Sequence, residues 1–332
     1  MSLTATPDWP GTIRAARAQK RWTQRQLAEA VGTSQAHISR IEAGDVIPSI
    51  ATVERIMAAL DGAPQWVPSG RGRMEQANVG STLQELSVSE MLGTEAPETD
   101  WIVDGVIARG AVTMIAGREG SGKSMLTQTL AAGVAAGKPA AGLKCQQGRV
   151  WIIDAENGEA LIHQRMQTLG MGAAAANRLR VFESVGMDLQ RDRWQLLDQL
   201  DNTKHAPDLL VLDSWKSLWN GSEHNPGAVS LMLNELIDMA REYGIGVLLL
   251  HHTTKAADTY RGSTAIGSTV QAVFTFSRPM KPKGWDEDVP SDLRVMICRK
   301  MRLGAEPSVA YFSTAGGKMN AADPPWGTVH DD

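Results

Sequence analysis

Residues 117–124, Gly-Arg-Glu-Gly-Ser-Gly-Lys-Ser, set three glycines, a lysine and a serine at the spacing G-x-x-x-x-G-K-[ST]. That pattern suits a phosphate. Glycines let successive backbone N–H groups curl around anionic oxygens, and a helix starting just after the loop adds a favourable dipole. On this reading Gly117, Arg118, Glu119, Gly120, Ser121, Gly122, Lys123, Ser124 and Met125 form the nucleotide loop. Lys123 reaches the β- and γ-phosphates and the Ser124 hydroxyl ligates the metal, which makes ATP and Mg²⁺ the expected ligands. The alternative is a glycine-rich turn that matches by chance, but the apolar run "AVTMIAG" before it supplies the strand the motif requires.

Magnesium in such a loop calls for a second oxygen ligand, and Asp213 at the end of "DLLVLDS" supplies one. An Asp closing a buried strand is commonplace by itself. Three more carboxylates, Asp154, Glu156 and Glu159, crowd into "VWIIDAENGE". Strand alternation sets Asp154 and Glu156 on the same side. Depth separates them: Asp154 follows the apolar run directly, whereas Glu156 lies at the mouth, where ligands of such sheets bind. Glu159 falls in the first turn of the next helix, where the dipole alone accounts for a carboxylate. His251 and His252 close "GIGVLLLHH"; a hydrogen-bonded strand-end pair is the simple reading, and a zinc site lacks partner ligands nearby.

These groups need elements to hold them. "AVTMIAG", "RVWIIDA", "DLLVLDS", "GIGVLLLHH", "AVFTFSR" and "LRVMICRK" read as strands, with helices at 122–136, 157–169 and 227–243 between the first few. Apolar runs separated by helices imply a mainly parallel sheet covered on both faces, an α/β fold. The last three runs lack long intervening helices, so antiparallel additions are expected at one edge. The tail from 317 to 332 reads as flexible.

Residues 11–61 read differently, as short helices punctuated by caps. Thr23 and Gly32 bracket "QRQLAEAV", Ser34 and Gly44 bracket "QAHISRIEA", and a third helix follows Pro48 and Ser49. Leu27, Ala28, Val31, Ile38, Ile41, Val53, Ile56, Met57 and Leu60 fall at helical spacing as the core of a small all-α domain. Residues 62–98 read as linker with one short helix near "STLQELSVSEML", and 99–316 as the α/β domain. Net charge is −4, yet residues 11–60 carry seven Lys/Arg against four acids, so a mildly basic module joins an acidic one. No run approaches the roughly 18 apolar residues of a membrane span, so no membrane partner is expected. Two distant cysteines and a start without an apolar leader suit a reduced, cytoplasmic chain.

"WIVDGVIARGAVTMIAGREGSGKS", "IIDAENGE", "LLVLDS", "VLLLHHTTK" and "RGST", in that order, resemble the RecA-like P-loop ATPases of the RepA-type hexameric helicase family, related to DnaB and KaiC. The resemblance covers about 100–312. It implies a glutamate at the end of a strand neighbouring the P-loop strand that polarises the attacking water, which falls on Glu156 with Asp154 as rival. It implies a γ-phosphate sensor at the end of the strand after Asp213, placing His252 in that role beside His251. Cations from an adjacent subunit would complete the site: Arg261, or Lys300 with Arg302, although Met301 departs from the family's usual K-N-R. An exposed cationic strand end is the plain alternative. A hexameric homo-oligomer and single-stranded DNA in the ring follow from the same resemblance, with Lys216, Lys255 and Arg261 in loops that could meet phosphates.

"TQRQLAEAVGTSQAHISRIEAGDVIPS" closely resembles the Cro/CI, or XRE-type, helix-turn-helix across 12–60. That implies duplex DNA as a partner. Gln24 would lie near a phosphate, and the helix capped by Ser34 would present Gln35, Ala36, His37, Ser39 and Arg40 to base edges. A helical protein-interaction module is the alternative. Together the two resemblances imply an ATP-dependent DNA motor, a replicative-type helicase of a mobile element. A non-unwinding ATP-controlled regulator and a recombination or loading accessory stand as alternatives.

Overall fold

Caps set the limits of the N-terminal helices α1 (Trp9–Gln19), α2 (Gln24–Val31), α3 (Gln35–Ala43) and α4 (Ile50–Ala59). Thr23 and Gln26 form a reciprocal capping box at the start of α2, and Ser34 accepts from the His37 amide at the start of α3. Gly32 and Gly44 close both helices at φ 68° and 83°, a left-handed geometry that glycine adopts without penalty. Ile13, Leu27, Ala28, Ile38, Ile41, Val53, Ile56, Met57 and Leu60 bury one another, with Val31 at the margin, as the periodicity predicts. The short helix expected near 81–92 is represented by α5 (Val88–Leu92).

The structure, a computed structural model, describes residues 9–44, 48, 50–60, 88–96, 98–184, 186–202, 205–222, 225–253 and 264–327. It divides into two units, one taking the chain to Pro97 together with Arg191–Ala206, the other Glu98–Gln190 with Pro207–Asp332. The second unit opens with a ribbon of β1 (Trp101–Val103) and β2 (Ile107–Ala108). β3 (Val112–Gly117), α6 (Lys123–Ala136), β4 (Val150–Asp154), α7 (Glu159–Leu169), α8 (Ala173–Ala176) and β5 (Leu179–Glu183) follow. After α9 (Leu189–Asn202) come β6 (Leu209–Asp213), α10 (Trp215–Leu218), α11 (Pro226–Tyr243), β7 (Gly246–His252) and α12 (Thr264–Thr269). β8 (Ala272–Ser277), β9 (Leu293–Met301), β10 (Ala310–Ser313) and β11 (Asn320–Ala321) complete it.

Among the described residues the main sheet has nine strands in the order β11-β10-β9-β8-β3-β7-β6-β4-β5. β8, β3, β7, β6, β4 and β5 run parallel, and β9, β10 and β11 are antiparallel additions. The expected antiparallel edge therefore exists but begins one strand later, because the short helix α12 precedes β8 and β8 pairs parallel with β3. β3, β4, β6 and β7 are buried along nearly their whole length, as strands covered on both faces must be. Ile115, Leu126, Leu130, Val134, Ile152, Val211, Leu248 and Phe274 join α6 to one face.

Two expectations need correction. The strand carrying Glu156 is not a neighbour of the P-loop strand: β7 and β6 stand between β3 and β4. Nor is the tail loose as far as Gly327. Met319 is 1% exposed, β11 pairs with β10, and Trp326 meets Trp285 and Tyr311 edge to face. A single apolar residue between glycines and polar residues carries little periodic signal, so its burial was illegible. β5 was also missed, since its half-exposed edge position weakens the apolar run.

Candidate nucleotide site

The P-loop leaves β3 through a close approach that only glycine tolerates. A Cβ on Gly117 would lie 2.2 Å from the Phe276 carbonyl oxygen on β8. Gly120 and Gly122 then take φ of 72° and 97°, turning the loop into the start of α6. No side chain caps that helix, so its first amides remain available to an anion. Lys123 is 4% exposed, and its Nζ donates to the carbonyls of Gly117 (2.8 Å) and Arg118 (2.9 Å). Burial lowers its pKa, opposed by the charges of Asp213, Glu156 and Glu119. Arg118, Glu119 and Gly120 are exposed at the loop's tip, while the Met125 side chain packs against the core and leaves only its backbone to the ligand.

The Ser124 hydroxyl donates to Asp213 at the end of β6. Burial raises the Asp213 carboxyl to about 6, with Asp154 and Glu156 adding to the shift and Ser124 and Lys123 opposing it. A hydroxyl beside one carboxylate, at the rim of a phosphate loop, is a hard-oxygen donor set that fits Mg²⁺. No cluster of three or more His, Cys, Asp or Glu exists among the described residues, as expected for an ion completed by phosphates and water.

Glu156 and Asp154 part ways clearly. Asp154 is 1% exposed, and its Oδ1 accepts from the amides of Glu156 (3.0 Å) and Asn157 (2.9 Å), while the Asn157 side-chain amide bridges both oxygens. It shapes the turn that presents Glu156. Glu156 leans back across β6 to β7: its Oε1 accepts from His252 Nε2 (2.8 Å), Ser217 Oγ (3.1 Å) and Ser214 Oγ. The His252 bond and the serines hold this carboxyl down at about 2, against the opposing effect of burial. His252 Nδ1 lies 3.4 Å from Lys123 Nζ. An ammonium can only donate, so Nδ1 accepts and Nε2 carries the proton given to Glu156. Lys123, His252 and Glu156 therefore form one chain from phosphate loop to carboxylate. His251 is buried, and burial with nearby His252, Lys123 and Lys216 drops it to about 4, keeping it neutral. Asp154→Ala removes the acceptor that closes this turn; it is expected to cost roughly 2 kcal/mol in thermal unfolding of the full chain.

Other predicted residues scatter. Lys300 Nζ caps α12, donating to the carbonyls of Gly267 (2.6 Å), Ser268 (2.9 Å) and Val270 (2.6 Å), and partial burial beside Arg302 brings it to about 8. Arg302 is exposed. Both lie at the opposite end of the sheet from Gly117, since Lys300 pairs with Val273 at the start of β8. Neither serves its own chain's phosphate loop. Arg261 and Lys255 lie outside the described residues. Sequence reasoning missed Ser214 and Ser217, whose i, i+3 spacing in "DSWKS" was the available signal, and Arg294, whose Nε donates to the Ser121 carbonyl at 2.8 Å.

In the helix-turn-helix, Gln35 is exposed and Ser39 and Arg40 are half-buried on the outer side of α3. His37 was expected to face DNA but is 3% exposed, sharing the inner face with Ile38 and Ile41. Ser34 is likewise buried as the cap, and Gln24 donates to Glu42 at 2.8 Å. The error is rotational: position 37 precedes Ile41 by four residues and so shares its buried stripe.

Residues 80–258 match the family described as AAA domain, and residues 13–67 the one described as helix-turn-helix. A curated relative, DNA repair protein RAD51 homolog 4 of Mus musculus, is 27% identical over 207 residues, 57% of this chain. The chain spans 60% of that relative's length. Among solved structures, the ATPase domain of a helicase matches with TM-score 0.52 at 13% identity, over 65% of this chain and 86% of that one. The RadB recombinase matches with TM-score 0.45 at 22% identity, over 65% and 93%. No described helix is long and apolar enough to cross a membrane. With the P-loop on β3, Asp213 on β6 and the capped N-terminal helices in place, the chain belongs to the AAA-domain family, as a RecA-like ATPase carrying an XRE-type helix-turn-helix.

Proposed function

We propose that this chain is an ATP-driven DNA motor, a ring-forming helicase of replicative type from a mobile element, brought to duplex DNA by its helix-turn-helix. One observation carries the catalytic part: Lys123, the Ser124–Asp213 pair and the His252-bound Glu156 converge at the C-terminal ends of adjacent parallel strands. Bound Mg²⁺, held by Ser124 and Asp213, would neutralise charge on the phosphates. Lys123 exchanges its two loop carbonyls for phosphate oxygens, and Glu156 orients the water and takes its proton. His252 touches both groups and so registers whether a γ-phosphate occupies the site.

A cavity of about 260 Å³ opens beside Gly117 and Arg118, walled by Arg278, Pro279, Tyr311 and Trp326. Its apolar and aromatic walls suit the nucleoside. Tyr311→Ala is expected to raise the KM for ATP severalfold with kcat retained, measured by steady-state hydrolysis. The position of Arg302 far from its own P-loop supports a trans role in a ring, with neighbouring subunits completing each site. Lys216 and Lys255 are the proposed single-strand contacts.

The test is forked-duplex unwinding with ATP and Mg²⁺, alongside mass measurement with a non-hydrolysable nucleotide. Strand separation by a hexamer supports the motor. Vigorous hydrolysis without separation favours the accessory reading, to which the DNA-repair relative lends some weight. For the duplex module, Gln35→Ala should weaken specific binding by about 1–3 kcal/mol in a footprint or anisotropy titration. His37→Ala should lower stability instead, because its ring is in the core.

A further inference from the structure

Three donors meet one oxygen of Glu156. His252 Nε2, Ser217 Oγ and Ser214 Oγ all bond Oε1, and none of these bonds reaches Oε2. Ser214 follows Asp213 directly and is fully buried, so β6 fixes its place. Ser217 stands one turn further along, on α10, with its Oγ 3.3 Å from that of Ser214. The helix itself has a firm mount. Trp215 and Leu218 are fully buried, Trp219 is 2% exposed, and the rings of Trp215 and Trp219 pack with centroids 4.7 Å apart. Ser217 therefore points a hydroxyl at the carboxylate from an element that has little freedom to turn.

Resting on the reading of Glu156 as the water-activating group, we propose that Ser217 is a positioning residue for hydrolysis: with Ser214 it pins Oε1 and so directs Oε2 at the attacking water. A carboxylate free to rotate exchanges its two oxygens, and half of its orientations waste the encounter. Anchored at Oε1, it keeps Oε2 in one direction. In the step served, the water oxygen bonds to the γ-phosphorus, the bond to the β-bridging oxygen breaks onto ADP, and the water proton goes to Oε2. His252 cannot supply the anchor alone. Its other nitrogen lies against Lys123, so its ring answers to events at the phosphates, whereas the serines belong to the β6–α10 segment.

Full-length Ser217→Ala, Ser217→Thr and Glu156→Gln variants test this by steady-state hydrolysis, fluorescent-nucleotide binding and melting temperature. Ser217→Ala should lower kcat about fivefold, the worth of one hydrogen bond, with KM, nucleotide affinity and melting temperature unchanged. Ser217→Thr keeps the hydroxyl and should restore kcat. The proposal is overturned by a wild-type kcat in Ser217→Ala, by Ser217→Thr failing as badly as alanine, or by kcat, affinity and melting temperature falling together. Glu156→Gln separates the two levels: wild-type turnover there removes the reading of Glu156 itself. An inactive Glu156→Gln beside an indifferent Ser217→Ala removes only the role of Ser217.

Discussion

Glu156→Gln should reduce ATP turnover by about 10²–10⁴-fold while nucleotide binding persists. The amide keeps the size and the acceptor oxygen that Ser214, Ser217 and His252 engage, so the local geometry survives. What it loses is the capacity to take a proton. Asp154 cannot substitute, because its oxygens close the turn at Glu156 and Asn157 and its side chain is sealed from solvent. Single-turnover hydrolysis and nucleotide titration on the same preparation check the claim; turnover within an order of magnitude of wild type would return the role to another group. The acid side of the profile also has a direction. The His252 bond and the serines hold the Glu156 carboxyl at about 2, so it stays ionised through mildly acidic conditions. Loss of activity near pH 5 in the wild type would therefore have to come from some other group.

The phosphate loop was legible because its chemistry is local: eight consecutive residues fix loop shape, charge and helix start together. The rank of Glu156 over Asp154 was legible too, since depth along a strand follows from where the apolar run ends. The route by which Glu156 reaches the site was not. Strand order is a property of pairings between distant segments, and nothing in "VWIIDAENGE" says that two strands separate it from β3. The same limit hid the serines, which act through a residue 58 and 61 positions away. His37 shows a different failure. It was assigned by the pattern of a motif, whereas a polar side chain at a buried helical position betrays itself only by its spacing from Ile41.

Arg17→Met should destabilise the N-terminal unit by about 3–5 kcal/mol, enough to unfold a helical unit of this size. Glu42 is 2% exposed, and Arg17 meets it with two bonds, Nε to Oε1 at 2.6 Å and Nη2 to Oε2 at 2.8 Å. Gln24 donates to the same carboxylate and Arg14 to the Glu42 backbone carbonyl. Removing Arg17 strands a buried charge, and stranding costs more than the pair contributes. Arg17→Met combined with Glu42→Leu should recover much of the loss, since an apolar pair carries no desolvation penalty. The pH dependence has a definite sign. Burial pushes the Glu42 carboxyl up, but Arg17, Gln24 and Arg14 outweigh it, leaving the folded value below the ordinary one. Its stabilisation is therefore present above the ordinary carboxylate range and is lost as pH falls through the depressed folded value. Calorimetry of the full chain should show the transition of the N-terminal unit moving down on acidification, with that slope reduced in Glu42→Gln. In Arg17→Met, specific duplex binding should vanish while basal ATP hydrolysis continues, because Lys123, Asp213 and Glu156 all belong to the other unit. If hydrolysis falls together with duplex binding, the two units do not work as separate modules.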